Sequence, residues 1–474
     1  MGSDRSPRLD RCRKLFVSTM FGLLPVLALY GSANAAEESY PATPTSVVTL
    51  PASTVEGTAT KPLASFDISF VDNVAGLYLL ADRSNASVDV LDLNFNAMNV
   101  ISPSNTGCTV PQGKTPNCAF IGLANDPNAG PINDVSGPNG VATVNDREVW
   151  AGDGPTMKGP IPLNTDCQKG DLSACKTAYL SVDNCDSTVK VIDLRSHEVT
   201  DSISTGGCFR ADELAFDPDD QVFIVANDAE QDIGNPDFVT LISTAPGHQV
   251  LAKIVFDGTK GTPNATGGIE QPIYDPQTHK FFVAVPADGG TFASPSTTGA
   301  LAEIDPKGLT VSRTIAVSNC TPNGVAIGPD HNAFLGCNAA ARVQIVSLDS
   351  GHLVQSIDQL RGGCDEVWYD AKLNHFLGAC SQHATTSPLE VAGVVDAPSP
   401  KTGPAAFDQN ITTKSAASDG ATPHSIAADS FTGRIIVPLG NGNTLCAGAK
   451  GCIAMWQEPG DQDNPDMTAT LQGN

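Results

Sequence analysis

Six polar residues of this chain stand at one position of a repeated phrase, and their types are those of metal ligands and acid–base groups. They are Asn139, Asp212, Glu270, Asn323, Asp365 and His424. Carboxylate and amide oxygens are the ligands that Ca²⁺, Mg²⁺ and Mn²⁺ prefer in proteins. The first five residues therefore predict a site for one divalent cation. His424 carries the only imidazole of the set and is the candidate catalytic general base.

The competing interpretation is that these six residues have a structural role and neither bind a metal nor take part in catalysis. Polar side chains at the start of a strand also bond to water or satisfy neighbouring backbone groups. Glu213, Gln271 and Glu366 each follow a member of the set directly, so a shift of one residue in strand register would exchange the ligands. The pattern alone leaves both interpretations open.

The phrase that carries these residues has the pattern of a β-strand. Two copies are Pro138-Asn-Gly-Val-Ala-Thr and Pro322-Asn-Gly-Val-Ala-Ile, and a third is Cys364-Asp-Glu-Val-Trp-Tyr. Each copy is followed by a polar turn and a second apolar run, such as Val222-Phe-Ile-Val-Ala. A repeated unit that cannot bury its own apolar face indicates a stacked or closed repeat architecture. Four short strands per unit are typical of a β-propeller blade.

The number of copies predicts how the ring closes. A weaker copy, Phe66-Asp-Ile-Ser-Phe, adds to the six others and gives seven inner strands. We therefore predict an all-β, seven-bladed β-propeller, with six or eight blades as alternatives. The last unit lacks a fourth strand, whereas residues 46–50 have an outer-strand pattern and no unit of their own. This segment is predicted to close the ring, within a single propeller domain spanning residues 36–474.

The start of the chain has the pattern of a secretory signal peptide over residues 1–35. A basic stretch precedes an apolar core, and Ala33-Asn34-Ala35 fits a cleavage site. Its apolar core is short for a membrane span. We expect a periplasmic or secreted protein without membrane insertion, and a monomer.

Cysteine usage agrees with an oxidising compartment. The sequence has 13 cysteines, and Cys12 falls in the signal segment, which leaves an even number for pairing. Neighbours in sequence are predicted to pair, and two of the pairs fall in inserted loops near residues 102–137 and 154–178. The predicted pairs are Cys108 with Cys118, Cys167 with Cys175, Cys185 with Cys208, Cys320 with Cys337, Cys364 with Cys380, and Cys446 with Cys452.

Charge and motifs limit the partners of this chain. The formal net charge is −25, and we expect no nucleic-acid partner for so acidic a protein because phosphate binding needs a basic surface. Arg210 and Arg361 precede two of the phrases and are able either to clamp an anionic substrate or to pair with nearby carboxylates. The sequence has no nucleophile elbow, phosphate-binding loop or dinucleotide fingerprint.

Two stretches resemble known propeller families. The run that begins Leu77-Tyr-Leu-Leu-Ala-Asp-Arg-Ser-Asn, with matching stretches at 179–193 and 222–243, resembles the YVTN repeat of YncE-like propellers. Pro-Asn-Gly-Val-Ala at 138–142 and 322–326 resembles a phrase of gluconolactonase-type propellers. The second resemblance implies that inner-strand Asn and acidic residues hold a catalytic divalent metal, and Asn139 and Asn323 match that motif best.

Two functions follow as hypotheses. The first is an exported binding or scaffold propeller that presents a disulfide-rigidified channel face to a protein, a glycan or a small ligand. The alternative is a divalent-metal-dependent hydrolase or lactonase of the gluconolactonase-like kind, in which the cation polarises a carbonyl or activates water. Propellers host many unrelated activities, so the fold does not choose between them.

Overall fold

The computed structural model describes most of the chain between residues 39 and 457. The described ranges are 39–50, 61–94, 98–106, 108, 117–126, 130–157, 185–230, 235–338, 342–360, 363–381, 391–399, 403–413 and 424–457. The predicted signal peptide and Arg361 lie outside them. Cys167 and Cys175, which the sequence predicts to form a disulfide, also lie outside the described residues.

Seven four-stranded antiparallel sheets make up the fold, which is a seven-bladed β-propeller as predicted. The inner strands, in blade order, are Ser69–Asp72, Val141–Val144, Ala211–Asp217, Pro272–Asp275, Pro322–Gly328, Cys364–Asp370 and Ala427–Asp429. The second strands are Leu77–Asp82, Glu148–Met157, Val222–Asn227, Lys280–Val285, Asn332–Cys337, His375–Cys380 and Arg434–Leu439. The third strands are Ser87–Asp92, Cys185–Asp193, Phe238–Ser243, Thr298–Asp305, Val343–Ser347, Val391–Asp396 and Cys452–Trp456. The outer strands are Met98–Ile101, Val199–Ser204, Val250–Val255, Thr310–Ser318, Leu353–Ile357, Ala406–Thr412 and, in the last blade, Ser46–Thr49.

Shorter elements lie in the connections. Asn125–Asp126 pairs with Gly130–Pro131, and Gly290–Thr291 pairs with Ser294–Pro295. Short 3₁₀ helices are present at Asn133–Val135, Pro329–His331 and Thr444–Cys446. None of the helices in the described part of the chain has the length and apolar content of a membrane span.

The N-terminal strand closes the ring, which confirms the prediction for residues 46–50. Ser46–Thr49 pairs antiparallel with Cys452–Trp456, and Ser46 stands opposite Met455. Each inner strand contacts the next one, and the inner strand of blade 7 contacts that of blade 1. This closure gives the last blade its fourth strand, and a ring of blades leaves only short, protected strand edges.

Apolar packing between blades explains why the unit must repeat. Seven clusters of buried side chains each combine residues of two neighbouring blades. Between blades 2 and 3, for example, Trp150 packs on Phe223 with their ring centroids 4.7 Å apart. A single blade therefore exposes two apolar faces, and only a ring of blades buries all of them.

The two ends of the central channel are built differently. Inner strands begin at one end, where second strands finish and third strands begin, and we call this end the disulfide face for the bridges described below. At the opposite end the inner strands finish in turns, and we call it the turn face. Aspartates such as Asp72, Asp217 and Asp429 accept hydrogen bonds there from backbone N–H groups two or three residues further on. These bonds are Asx-turns, and the six polar residues of the repeated phrase lie at the opposite ends of the inner strands.

Candidate functional site

The six predicted residues lie at the disulfide-face end of the channel, joined by short contacts between blades. Gly140 N–H, next to Asn139, donates to the backbone oxygen of Asp212, and Glu366 N–H donates to that of His424. Asn139, Asp212 and Asn323 are buried, whereas Glu270, Asp365 and His424 are half-buried. The strand repeat therefore predicts correctly that these positions share one end of the channel.

A seventh residue, Asp67, belongs with these six, and the sequence analysis missed it. We call the seven residues around the channel the ring. It stands five residues before the turn residue Asp72, as Asp212 stands five before Asp217 and His424 five before Asp429. Counting back from the turn aspartates would have found it, whereas the weak phrase at 66–70 hid it. Asp67 is 5% exposed.

Arg83 joins Asp67 and Asn139 into one buried network. Its Nη2 forms an ion pair with Asp67 Oδ2 and lies 2.7 Å from Asn139 Oδ1, while its Nε lies 3.0 Å from the same oxygen. Its Nη1 donates to Asn133 Oδ1. Asn139 Nδ2 in turn donates to the Ala211 backbone oxygen at 2.9 Å. The amide oxygen of Asn139, which the metal hypothesis needs, is therefore occupied by an arginine.

His424 completes this half of the ring from blade 7. Its Nε2 lies 3.1 Å from Asp67 Oδ1, and its ring stacks on Phe66 with centroids 5.3 Å apart. Burial alone would raise the pKa of Asp67, but Arg83 and His424 lower it to about 2. Burial alone would lower the pKa of His424, but Asp67 raises it above its usual value. Asp67 and His424 therefore each stabilise the charged form of the other.

A second arginine, Arg210, occupies the neighbouring part of the ring. Its Nε lies 3.1 Å from Asp212 Oδ2, and its Nη2 lies 2.7 Å from Asp228 Oδ2. Asp228 Oδ1 also accepts from the Ile269 N–H at 3.2 Å. The sequence left two roles open for Arg210, an anion clamp and a carboxylate partner, and in the structure it pairs with carboxylates.

Blades 4, 5 and 6 contribute the remaining members. Asn323 Nδ2 donates to Asp365 Oδ1 at 2.9 Å, and Asn323 Oδ1 is buried without a hydrogen-bond partner among the described residues. Burial and the nearby Asp228 raise the pKa of Glu270 well above its usual value, against the opposing effect of Arg210. These three blades contribute two carboxyl groups and an amide to the ring, and no arginine among the described residues of these blades contacts them.

β-Bulges lie at Asp212, Asn323 and Asp365, and those at Asp212 and Asp365 bring the side chains that follow these residues to the channel axis. Register shifts between the inner and second strands occur at Ala211/Leu214, Pro322/Val325 and Cys364/Val367. Such bulges change which side chains point toward one face. As a result Glu213 and Glu366, the neighbours of Asp212 and Asp365, line the channel.

The repeated Pro-Asn-Gly has a steric explanation. A Cβ at Gly140 would lie 2.4 Å from the Asp212 backbone oxygen, and one at Gly324 would lie 2.5 Å from that of Asp365. Each glycine therefore allows the backbone of the next blade to approach closely, where larger side chains would clash. The phrase that resembles gluconolactonase-type propellers is explained here by blade packing.

The channel itself is an open cavity of about 720 Å³. Its closed end, next to the ring, is lined by Ser69, Glu213 and Glu366, all of which are buried. Its other end reaches Val74, which is 80% exposed, in a turn of the turn face. The cavity therefore opens on the side opposite to the six predicted residues.

The disulfides lie on the face where the inner strands begin. Bonds join five of the six predicted cysteine pairs: Cys108–Cys118, Cys185–Cys208, Cys320–Cys337, Cys364–Cys380 and Cys446–Cys452. Each of these cysteines lies at the start of an inner or third strand, at the end of a second strand, or in a connection that leads to an inner or a third strand. The sixth predicted pair, Cys167 with Cys175, falls outside the described residues and stays a prediction. Crosslinks of this kind restrict the loops that they join.

One hairpin projects from this face with an exposed aromatic side chain. Gly290–Thr291 and Ser294–Pro295 are its strands, and Phe292 at its tip is 57% exposed. At its base, Asp288 N–H donates to the Thr298 backbone oxygen at 2.8 Å, and Thr298 pairs with Cys320. No repeat pattern marks this segment, and the sequence analysis missed it.

Metal binding and catalysis at the ring stay predictions. The described residues contain no group of three or more His, Cys, Asp or Glu side chains arranged to hold a metal ion. Several of the proposed ligands instead bond to arginine, to amide groups or to each other, as described above.

Comparison with known proteins supports the fold of this chain and no function. No family model matches the chain, and no curated protein matches it. A solved chain from the crystal structure of the mitotic checkpoint complex is similar, with a TM-score of 0.52, 10% sequence identity, and coverage of 94% of this chain and 98% of that chain. At this identity the likeness supports the fold alone. Membership of the YncE-like, YVTN-repeat family stays a prediction.

Proposed function

We propose that this chain is an exported binding propeller that recognises a protein partner through its disulfide face. The observation that carries the proposal is Phe292, a large apolar side chain that is 57% exposed on a hairpin of that face. Aromatic side chains are over-represented among the residues that contribute most to protein–protein affinity. At this exposure more than half of the Phe292 side chain lies outside the packing of the blades and is available to a partner.

Support for a prepared binding element comes from the base of the hairpin. Gly289 N–H donates to the Asn264 backbone oxygen at 2.8 Å, and Ser296 N–H donates to the Gly289 backbone oxygen at 3.0 Å. The Cys320–Cys337 disulfide holds the strand end next to Thr298. A loop that is fixed before binding loses less conformational entropy when the partner binds.

Export is part of the proposal, and the disulfides support it. Disulfides persist in the periplasm and outside the cell and are rare in the cytosol. Amino-terminal sequencing of the protein recovered from the producing cell should begin at Ala36. A cytosolic protein with residues 1–35 still attached would contradict export.

The hydrolase alternative and the YncE-like family remain predictions from the sequence. Among the contacts of the described residues, none favours hydrolysis over binding, because Arg83 and Arg210 bond to the oxygens of Asn139 and Asp212.

Site-specific crosslinking in the producing cell tests the binding face. A photo-reactive phenylalanine derivative replaces Phe292 in one variant and Leu353 in the control, since Leu353 is 55% exposed on an outer strand. We expect one discrete protein adduct at position 292 and none at 353. Equal labelling at both positions, or no adduct at 292, would contradict recognition through this face.

A further inference from the structure

The central channel has the form of a ligand site that is independent of the proposed protein-binding face. Its volume of about 720 Å³ lies within the range of small-molecule pockets, roughly 300–1,000 Å³. Its lining is buried next to the ring and exposed at the turn face, where the mouth includes Val74 and Asp146. A molecule can therefore enter from the turn face and meet the buried end.

The walls of the channel suit an apolar, partly aromatic body. Phe70, Leu214, Ile273 and Trp368 line it between the closed end and the mouth. No Lys, Arg or His is among the described residues that line the cavity. The charged lining residues are all acidic, so the channel has no positive group to attract an anion.

At the closed end one polar group lacks a partner. Glu213 is 3% exposed, and its Oε2 has no hydrogen-bond partner among the described residues. The neighbouring polar side chains do have partners. Glu366 Oε2 accepts from Ser425 Oγ at 2.5 Å and from the Ile426 N–H at 3.0 Å. Gln271 Oε1 likewise accepts from the Val325 N–H at 2.9 Å. A buried acceptor without a donor is unfavourable unless a ligand or water supplies one.

Positive charge is what the closed end lacks. Burial raises the pKa of Glu213 well above its usual value, and so do Glu270, Asp212, Asp365 and Glu366, the carboxyl groups that face it. The two arginines nearby already pair with other carboxylates of the ring. A cation bound beside Glu213 would supply the missing counter-charge and stabilise the ionised carboxylate.

We propose that the channel binds a small amphiphilic organic cation, with its protonated amine against Glu213 and its apolar body along Leu214, Ile273 and Trp368. The three features that select this ligand class are the unpartnered buried acceptor, the apolar and aromatic walls, and the acidic lining without a basic residue.

Three probes with one body and different head groups test the proposal. They are 4-phenylbutylamine, 4-phenylbutanol and 4-phenylbutyrate, titrated calorimetrically into the oxidised full-length protein at pH 7. We expect the amine to bind about 30-fold more tightly than the alcohol, since hydrogen bonds to charged groups are the stronger ones, and the carboxylate to bind most weakly. In Glu213→Gln the amine and the alcohol should bind within about threefold of each other.

Two controls locate the site. Asp146→Asn removes one acidic charge at the exposed mouth and should change the amine affinity less than twofold. The amine should change the intrinsic tryptophan fluorescence of the wild type, and Trp368→Phe should abolish that change, because Trp150 and Trp456 are buried away from the cavity. This fluorescence test does not depend on the folding of Glu213→Gln.

Four outcomes of the binding titrations would overturn the proposal. They are equal binding of the three probes, preference for the carboxylate, an amine preference that survives in Glu213→Gln with unchanged melting, and no binding up to about 10 mM. A fluorescence change that persists in Trp368→Phe would place the amine outside the channel and would overturn it too.

Discussion

Replacement of Arg83 by Met should destabilise the protein more than any change to an exposed ion pair. The substitution keeps an apolar chain of similar length and removes the charge that pairs with Asp67. The pKa of Asp67 is about 2 compared with an ordinary 3.8, and that difference corresponds to about 2.4 kcal/mol of favourable interaction. The charge of Arg83 is the largest single effect that lowers it, ahead of those of His424 and Arg210, so a large part of this stabilisation disappears with the guanidinium.

The two asparagines add to the effect. Asn139 and Asn133 lose charged donors, and each such loss costs on the order of 1 kcal/mol. We therefore expect the free energy of unfolding of Arg83→Met to fall by about 3–5 kcal/mol, as when one partner of a buried pair is removed. The Asp67 contribution is fully present above pH 3.8 and is lost as the pH falls through about 2. At pH 7 the whole effect is measurable.

Equilibrium unfolding in guanidinium chloride at pH 7, with the disulfides intact, provides the measurement. Arg147→Met is the matched control, because the Arg147 side chain is 72% exposed and its Nε lies 3.5 Å from Asp193 Oδ2. The control should cost less than about 1 kcal/mol. If Arg83→Met costs no more than this control, the buried network does not hold the ring together and the reasoning fails.

Three further predictions concern blade packing, the crosslinks and the channel carboxyl. Gly140→Ala should lower the melting temperature clearly more than Gly76→Ala. A Cβ at 140 would lie 2.4 Å from the Asp212 backbone oxygen, whereas one at 76 meets nothing within 4 Å and adds only the backbone strain of φ +68°; equal melting would refute the steric explanation. Replacing Cys320 and Cys337 together by Ser should reduce the free energy of unfolding by about 3 kcal/mol, and an unchanged free energy of unfolding would count against a stabilising crosslink. Because burial raises the pKa of Glu213 above 4.5, this carboxyl ionises less readily in the folded than in the unfolded protein, so wild-type stability should fall as the pH rises above 4.5, by at most about 1.4 kcal/mol per pH unit. Glu213→Gln should flatten this slope, and an identical pH profile in both proteins would contradict the shift.

The fold follows from the sequence because its unit repeats. Blade packing requires alternating apolar residues in every blade, so copies such as those at Pro138 and Pro322 carry the same signal independently. The closing strand was predictable for a related reason, since Ser46–Thr49 has an outer-strand pattern that the last unit lacks. The same repeat placed six polar residues at one end of the channel.

What surrounds those residues was not predictable, because it depends on contacts between distant blades. Arg83 directly follows a second strand, and nothing in its own stretch indicates that it reaches Asn139 of the next blade. The bulges that bring Glu213 to the axis change strand register by one position, which a pattern with a period of two cannot resolve. Phe292 lies in a connection without any periodicity, and only its exposure in three dimensions draws attention to it.

Affinity for the partner captured at position 292 is the most direct test of the central proposal. Calorimetric titration of that purified partner into wild type, Phe292→Ala and Leu353→Ala compares the two exposed side chains on a common scale. We predict that Phe292→Ala weakens binding at least about 30-fold, or about 2 kcal/mol, while Leu353→Ala changes it less than about twofold. Unchanged affinity in Phe292→Ala, with the partner still bound, would contradict recognition through the disulfide face.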